Sequence, residues 1–180
     1  MKILLILVSS TVIFTVNGVP TTVTKNEKCL KKLENLTDTM SALELRNNEN
    51  IEIVNNACDD FQDCSKTLKR GATLKAIQAI GKITSLCDIV HYLSIDFLDC
   101  DDKLTAKNST CSQDWNPFPD EIEGDSKESE RIQLEACKNF FGNDGCLEKE
   151  IKELCDEKTW DRFKENYLTL NKLLEICDFD

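Results

Sequence analysis

Ten cysteines constrain this chain more than any other feature of its sequence. All of them follow a short apolar leader, and their even number predicts five disulfides formed in an oxidising compartment. Because no Cys-x-x-Cys occurs, we interpret the cysteines as structural and disfavour the alternatives of zinc binding and thiol catalysis. The cysteines are Cys29, Cys58, Cys64, Cys87, Cys100, Cys111, Cys137, Cys146, Cys155 and Cys177.

Residues 1–18 have the pattern of a secretory signal peptide. Lys2 provides a positive start, residues 3–16 carry no charge and are largely apolar, and small residues near Gly18 fit cleavage after that position. A membrane anchor is the alternative, but the run falls short of the about 20 apolar residues that a spanning helix needs. We therefore expect a secreted, extracellular chain in which residues 19–180 form a single cysteine-rich helical domain without a membrane span.

The charge of the chain disfavours two classes of partner. The sequence has 33 acidic and 22 basic residues and a formal net charge of −11. Nucleic acids and anionic membranes carry the same sign, so neither is an expected partner. Two sequons, which begin at Asn35 and Asn108, are candidate N-glycosylation sites and agree with export.

The apolar residues recur at spacings of three and four, which is typical of α-helices. We predict an all-α, disulfide-stapled bundle of about six helices with one long cystine-tethered loop at Asp99–Asp125. Gly81, within the third and most apolar helix, either weakens that helix or lets a neighbouring helix approach closely. In the fourth helix, Leu134 is expected to face inward. The predicted helices cover Glu27–Arg46, Ile51–Lys69, Thr73–Leu98, Ser126–Phe141, Leu147–Cys155 and a final segment from about Lys158, whose stripe includes Trp160, Phe163, Tyr167 and Leu170.

The order of the helices predicts part of the disulfide connectivity. If the first helix folds back antiparallel on the second, Cys29 comes near Cys64. If the second folds back on the third, Cys58 comes near Cys87. The spacing of the other six cysteines leaves their partners open.

The sequence has few residues suited to catalysis. His91 is the lone histidine, and a structural role is more common for a helical histidine than one as a general base. A glycine-rich calcium loop and the serine hydrolase motif Gly-x-Ser-x-Gly are both absent. Clustered carboxylates could bind calcium, although a solvated acidic loop is the simpler interpretation. Those carboxylates are Asp99, Asp101, Asp102, Asp120, Glu121, Glu123 and Asp125.

An ordered set of segments resembles a nematode family of secreted cysteine-rich proteins called domain of unknown function nineteen. The resemblance covers most of Lys28–Phe179. The segments are Phe97-Leu98-Asp99-Cys100, Trp115-Asn116-Pro117-Phe118-Pro119, Ala136-Cys137-Lys138-Asn139-Phe140-Phe141, Cys146-Leu147-Glu148-Lys149-Glu150-Ile151, Cys155, Trp160-Asp161-Arg162-Phe163-Lys164 and Cys177-Asp178-Phe179.

The resemblance implies an extracellular, disulfide-bonded domain without an established activity. It also suggests a role in defence or stress responses, and it supplies no catalytic residue. The family pattern has about twelve cysteines, so one bridge of the relatives is missing from this chain.

Three functions remain open. The first, which we favour, is a secreted interaction module without enzymatic activity or cofactor, which meets an unknown extracellular protein through Trp115–Asp125 or a helix face. The second is a carrier of a small hydrophobic ligand, and the third is a secreted hydrolase. A closed apolar cavity would favour the carrier, and a cleft that joins His91 to carboxylates would favour the hydrolase.

Overall fold

A computed structural model of the chain describes residues 20–42, 48–119 and 125–179. These residues form α-helices with short connections and contain no β-strand, so the predicted all-α, disulfide-stapled fold is confirmed. Within those ranges, no helix has the length and apolar character needed to cross a membrane. The predicted signal peptide, residues 1–18, lies outside the described residues.

The chain divides after His91 into two compact units. The N-terminal unit contains helices α1 (Pro20–Ala42), α2 (Asn48–Lys69) and α3 (Leu74–His91). The C-terminal unit begins at Tyr92 and contains the remaining helices. The single domain that the sequence predicts for residues 19–180 stays a prediction.

The N-terminal unit buries the apolar stripes of its three helices. Proline begins α1, where its missing N–H would have no intrahelical partner in any case. Ser65 is also buried, and its hydroxyl donates to the carbonyl oxygen of Gln62 at 3.1 Å, which satisfies the polar atom. The largest fully buried side chains of this unit are Phe61, Leu36, Ile80, Val54, Cys29 and Cys87.

The C-terminal unit starts with a break in the predicted third helix. That helix ends at His91 instead of Leu98, and a π-helical turn follows at Tyr92–Asp96. The backbone N–H of Phe97 donates to the carbonyl oxygen of Tyr92 at 2.8 Å, which is the i to i−5 spacing of a π-turn. Tyr92 and Phe97 are both buried, so the wider turn brings both rings into the core of this unit.

In the part that the structure describes, the predicted loop at Asp99–Asp125 is helical as far as Asp114, apart from Asn108 and Ser109. It contains α4 (Leu98–Lys107) and α5 (Thr110–Asp114). Asn108 ends α4 in the left-handed region at φ 51°, and the hydroxyl of Ser109 caps α5 by accepting from the backbone N–H of Ser112. The cystine tether is present, since Cys100 is bonded to Cys155 and Cys111 to Cys146.

Three further helices complete the C-terminal unit: α6 (Ser126–Lys138), α7 (Cys146–Leu154) and α8 (Glu157–Leu174). The predicted stripe of α8 is buried at Trp160, Phe163 and Leu170. The expectation that Leu134 of α6 faces inward is wrong, because 65% of that residue is exposed. No residue of α6 is fully buried, so the rest of the protein covers this helix less than its apolar spacing predicts.

All ten cysteines are paired. In the N-terminal unit, Cys29 is bonded to Cys64 and Cys58 to Cys87, the two pairs that antiparallel hairpins predict. In the C-terminal unit, the sulfurs join α4 to the end of α7, α5 to the start of α7, and α6 to the segment after α8. Those three bridges are Cys100–Cys155, Cys111–Cys146 and Cys137–Cys177.

A buried asparagine holds the segment after α8 in place. The side-chain amide of Asn171 donates to the carbonyl oxygen of Cys177 at 2.7 Å, and its oxygen accepts from the Cys177 backbone N–H at 2.8 Å. Only 4% of Asn171 is exposed, so both polar atoms are satisfied inside the protein. The amide therefore positions Cys177 for its bond to Cys137.

Gly142 is required by the bridge between Cys111 and Cys146. Its φ is +82°, and a Cβ atom at this position would lie 2.6 Å from the Cys146 sulfur and 3.1 Å from the Cys111 sulfur. Real Cβ atoms do not approach other atoms so closely, so a side chain here would push the bridge out of place. Gly81 in α3 is different, because a Cβ there would meet no atom within 4 Å.

The two glycines give a matched pair of substitutions. We expect Gly142→Ala to lower the free energy of unfolding by about 1–3 kcal/mol, because the methyl group meets the bridge in a backbone conformation that alanine disfavours. Gly81→Ala should raise it by about 0.5–1 kcal/mol through helix propensity. Denaturant unfolding of both variants under non-reducing conditions measures the difference, and equal effects would contradict the role given to Gly142.

Proteolysis of the unreduced protein tests the connectivity. We expect mass spectrometry to recover five linked peptide pairs, with Cys29 joined to Cys64 and Cys58 joined to Cys87. Reduction before digestion is the control and should abolish every linked mass. A link between any cysteine before residue 92 and any cysteine after it would contradict the structure.

Candidate functional site

An open cleft lies beside Trp115 in the C-terminal unit. Helices α5 and α6 and the turn that leads into α7 form its walls, and its volume is about 580 Å³. This volume is within the usual range of roughly 300–1,000 Å³ for small-molecule sites. The lining residues are Thr110, Cys111, Asp114, Trp115, Asn116, Arg131, Ile132, Glu135, Ala136, Asn139, Gly142, Asn143 and Cys146.

The first wall is a short helix that is fastened to α7. The Cys111–Cys146 disulfide joins α5 to the start of α7. The hydroxyl of Ser109, at the N-cap of α5, also donates to Glu150 Oε2 at 2.7 Å. Lys107 lies 3.6 Å from the other oxygen of Glu150 and donates to Glu153 Oε2 at 3.2 Å, and the bond to Glu153 raises the pKa of the Lys107 ammonium group. These contacts fix a five-residue helix that would not be stable by itself.

Trp115 is held by its ring nitrogen and by its neighbours. The indole N–H donates to the carbonyl oxygen of Phe140 at 2.9 Å. The ring centroid lies 5.5 Å from that of Phe163 and 4.9 Å from that of Tyr167, within the range of favourable aromatic pairs. The indole is half-buried, so it presents a fixed apolar surface to the cleft.

The second wall is α6, which contributes charged and amide groups. Asp125 caps this helix, since its carboxylate accepts from the backbone N–H of Glu128 at 3.0 Å. Arg131 donates to both carboxylate oxygens of Glu128, at 2.8 and 2.7 Å, and this contact lowers the pKa of Glu128. One turn later, the amide of Asn139 donates to Glu135 Oε1 at 2.7 Å. The polar groups of α6 are thus partly oriented by one another.

Three other polar side chains of the cleft are not held by hydrogen bonds to described residues. Asp114, Asn116 and Asn143 are exposed, and none of their side chains forms a hydrogen bond with another residue in the ranges that the structure describes. Their carboxylate and amide groups therefore keep their capacity to bind a ligand.

The catalytic and metal-binding candidates of the sequence that the structure describes are divided between the two units. His91 is exposed at the end of α3, and Asp99, Asp101 and Asp102 are exposed on α4. Partial desolvation of its carboxylate by the surrounding protein, together with the neighbouring Asp102 carboxylate, raises the pKa of Asp101. Asp120, Glu121 and Glu123 lie outside the described residues. Across the described ranges, no group of three or more His, Cys, Asp or Glu side chains is placed to hold a metal ion.

Both sequons lie on the surface. Asn35 is exposed on α1, and Asn108 is exposed at the end of α4. The side-chain oxygen of Asn108 accepts from the Gln113 amide at 2.6 Å. Glycosylation of either asparagine stays a prediction.

The comparison with protein families decides where the chain belongs. The family described as "Domain of unknown function (DUF19)" matches residues 20–178, which include every described helix and all ten cysteines. The chain belongs to this family. The match confirms the resemblance seen in the sequence, and the family's description assigns no function.

Three relatives from Caenorhabditis elegans are similar to this DUF19 chain. "UPF0376 protein F10G2.1" is 38% identical over 84% of this chain and 77% of its own length, and "UPF0376 protein C36C5.12" is 35% identical over 84% and 71%. "Excretory canal abnormal exc-13" is also 35% identical, over 84% and 77%. No solved structure matches the chain. The names of the three relatives state no catalytic activity.

Two tyrosines of the C-terminal unit have phenols that are removed from water by the fold. Burial raises the pKa of Tyr92 to about 12, although the Arg162 guanidinium, 4.7 Å from the centre of the ring, lowers it in part. The Tyr92 hydroxyl donates to the carbonyl oxygen of Thr159 at 3.3 Å. Burial also raises the pKa of Tyr167, whose ring packs against Trp115. Both phenols therefore stay neutral to a higher pH than a free tyrosine does.

The tyrosines give a titration that reports on this packing. A phenol whose pKa rises on folding makes the folded state lose stability as the pH climbs from the unfolded pKa of 10.0 towards the folded value of about 12. Ultraviolet absorbance should show little tyrosinate at pH 10 in the native protein and about half ionisation in denaturant. Tyr92→Phe is the control that assigns the signal, because the chain has only 2 tyrosines. A native midpoint near pH 10 would contradict the burial.

Proposed function

We propose that this chain is a secreted, extracellular binding module that presents the cleft beside Trp115 to a partner. The single observation that carries the proposal is a cleft whose walls are fixed by the fold while three of its polar side chains have no partner in the described ranges. Unpaired hydrogen-bonding groups on a fixed surface are suited to recognition, because little ordering is needed when the ligand binds.

Extracellular location is supported by the chemistry of the sulfurs. The structure has five disulfides, and cytosolic reductants keep most such bonds from persisting. The predicted signal peptide at residues 1–18 and the exposed sequons at Asn35 and Asn108 agree with export. Secretion and glycosylation are therefore parts of the proposal.

The geometry favours binding over the two alternatives. A hydrophobic carrier would need an apolar cavity, whereas the cleft is open and carries Asp114, Arg131 and Glu135. A hydrolase that uses His91 as its base would need that residue in the cleft, and His91 is not among the lining residues. We therefore propose a role without catalysis.

The biological process stays a prediction. A role in defence or stress responses comes from the family resemblance alone. The relative named for an abnormal excretory canal makes that organ one place in which to look for the partner.

A matched pair of tryptophan substitutions tests the proposal. Ala136 lines the cleft on α6, so Ala136→Trp should fill the space that a partner would occupy. Ala106 is exposed on α4 outside the cleft, so Ala106→Trp adds the same side chain elsewhere. We expect affinity capture from the extracellular fluid of the source animal to recover a ligand with the native chain and with Ala106→Trp, and to lose it with Ala136→Trp. Mass spectrometry of the captured proteins and small molecules identifies it.

Circular dichroism and thermal unfolding of both variants establish that each is folded before capture. Equal recovery of the ligand by both variants would place its binding site away from the cleft. Recovery of apolar lipids alone would support the hydrophobic carrier instead.

A further inference from the structure

We propose that the cleft beside Trp115 binds a saccharide. The proposal rests on the binding role given above and names its ligand class. It follows from the combination of polar and apolar side chains that line the cleft, because together they limit which classes of ligand can bind there.

The lining supplies hydrogen-bond donors and acceptors side by side. Asp114 offers only acceptors, Arg131 only donors, and the amides of Asn116 and Asn143 offer both. A sugar hydroxyl donates one hydrogen bond and accepts others, so a ring with several hydroxyls can use all four side chains at once. Planar carboxylate, amide and guanidinium groups also contact two adjacent hydroxyls in a bidentate manner.

Other classes of ligand fit the charged and polar side chains of the cleft less well. An anion would meet the carboxylates of Asp114 and Glu135, which repel it. A metal cation would need several acidic ligands grouped around it, and no group of three or more His, Cys, Asp or Glu side chains in the described ranges is placed to hold one. An acyl chain would remove charged groups from water without replacing their hydrogen bonds, which is strongly unfavourable. A neutral polyhydroxyl ligand has none of these penalties.

The apolar part of the lining also suits a sugar ring. Trp115, Ile132 and Ala136 contribute apolar surface beside the polar groups of the lining. One face of a pyranose ring carries mainly C–H groups and packs on an indole, while its edge carries the hydroxyls. Because Trp115 is fixed by its bond to Phe140 and by the rings of Phe163 and Tyr167, it offers that surface without a loss of side-chain freedom.

The size and openness of the cleft set the form of the ligand. A volume of about 580 Å³ accommodates a short oligosaccharide, and the open side leaves room for the remainder of a longer chain. A free oligosaccharide and the glycan of a glycoprotein present the same rings and hydroxyls. The two tests below distinguish these two sources of the ligand.

The first test titrates the folded, oxidised protein with free di- and trisaccharides. The panel contains neutral hexoses, N-acetylated hexosamines and uronic acids at millimolar concentrations, and binding is measured by calorimetry. We expect saturable binding of at least one neutral or N-acetylated member, accompanied by a change in tryptophan fluorescence. The chain has only 2 tryptophans, and Trp160 is 3% exposed, so Trp115 accounts for that change.

Matched variants test the location. Asp114→Ala and Asn116→Ala each remove an exposed cleft group that has no hydrogen bond within the described ranges, so the fold should be unaffected. Asp63→Ala and Asn56→Ala remove the same groups from the exposed surface of α2. We expect about ten-fold weaker binding for each cleft variant, as for the loss of a hydrogen bond, and unchanged binding for each α2 variant.

The second test uses immobilised glycoproteins before and after enzymatic removal of their glycans. Binding that disappears with the glycans and with Asp114→Ala identifies a glycoprotein as the source. Saturable binding of the panel alone identifies a free oligosaccharide.

The saccharide proposal is overturned if no panel member and no glycan-dependent glycoprotein binds, or if the cleft and α2 variants behave alike. In that case, a partner lost with Ala136→Trp would still uphold the binding role. Failure of both experiments would overturn both proposals.

Discussion

Covalent sulfur bonds are the constraint on which the arrangement of these helices depends. Several helices are short, and α5 has only five residues, fewer than an isolated helix needs to persist in water. Disulfides restrict the unfolded chain and so stabilise the folded one by about 2–4 kcal/mol each. In the C-terminal unit they reach α4, α5, α6 and α7. The Cys111–Cys146 bond has two further effects: it leaves room only for a glycine at position 142, and it positions one wall of the cleft.

The sequence predicts the long helices well and the short ones poorly. Periodic apolar residues identify α2 and α8, since a stripe repeated over several turns rarely arises except in a helix. Helix α4 buries only Cys100 and Leu104, too few positions to form a pattern among its charged residues. The capping residues Asn108 and Ser109 mark a boundary between two helices there. Because the same residues also form a sequon, their capping role does not stand out in the sequence.

The cleft is harder to predict than the fold. Trp115 stands out in the sequence as a rare residue close to two prolines, and the structure places it at the cleft. Nothing in the sequence marks Arg131 and Glu135 as cleft residues, because charged residues on an amphipathic helix normally face water. They share a cleft with Asp114 because disulfides attach α5 to α7 and α6 to the segment after α8, and spacing along the chain does not determine those partners. The prediction that Leu134 faces inward fails for a related reason, since apolar spacing alone does not show how much of a helix the rest of the protein covers.

The order of the cysteines has a consequence for biogenesis. In the N-terminal unit, the bonded pairs overlap along the chain: Cys58 lies between Cys29 and Cys64, and Cys64 lies between Cys58 and Cys87. On the proposed secretory route, threading from the N-terminus into an oxidising lumen exposes Cys29 and Cys58 first, and these two are not partners. Native bonding therefore requires the α1–α2 hairpin to form before oxidation, or an isomerase to exchange an early wrong bond. Cells with little isomerase should accumulate mispaired, retained chains.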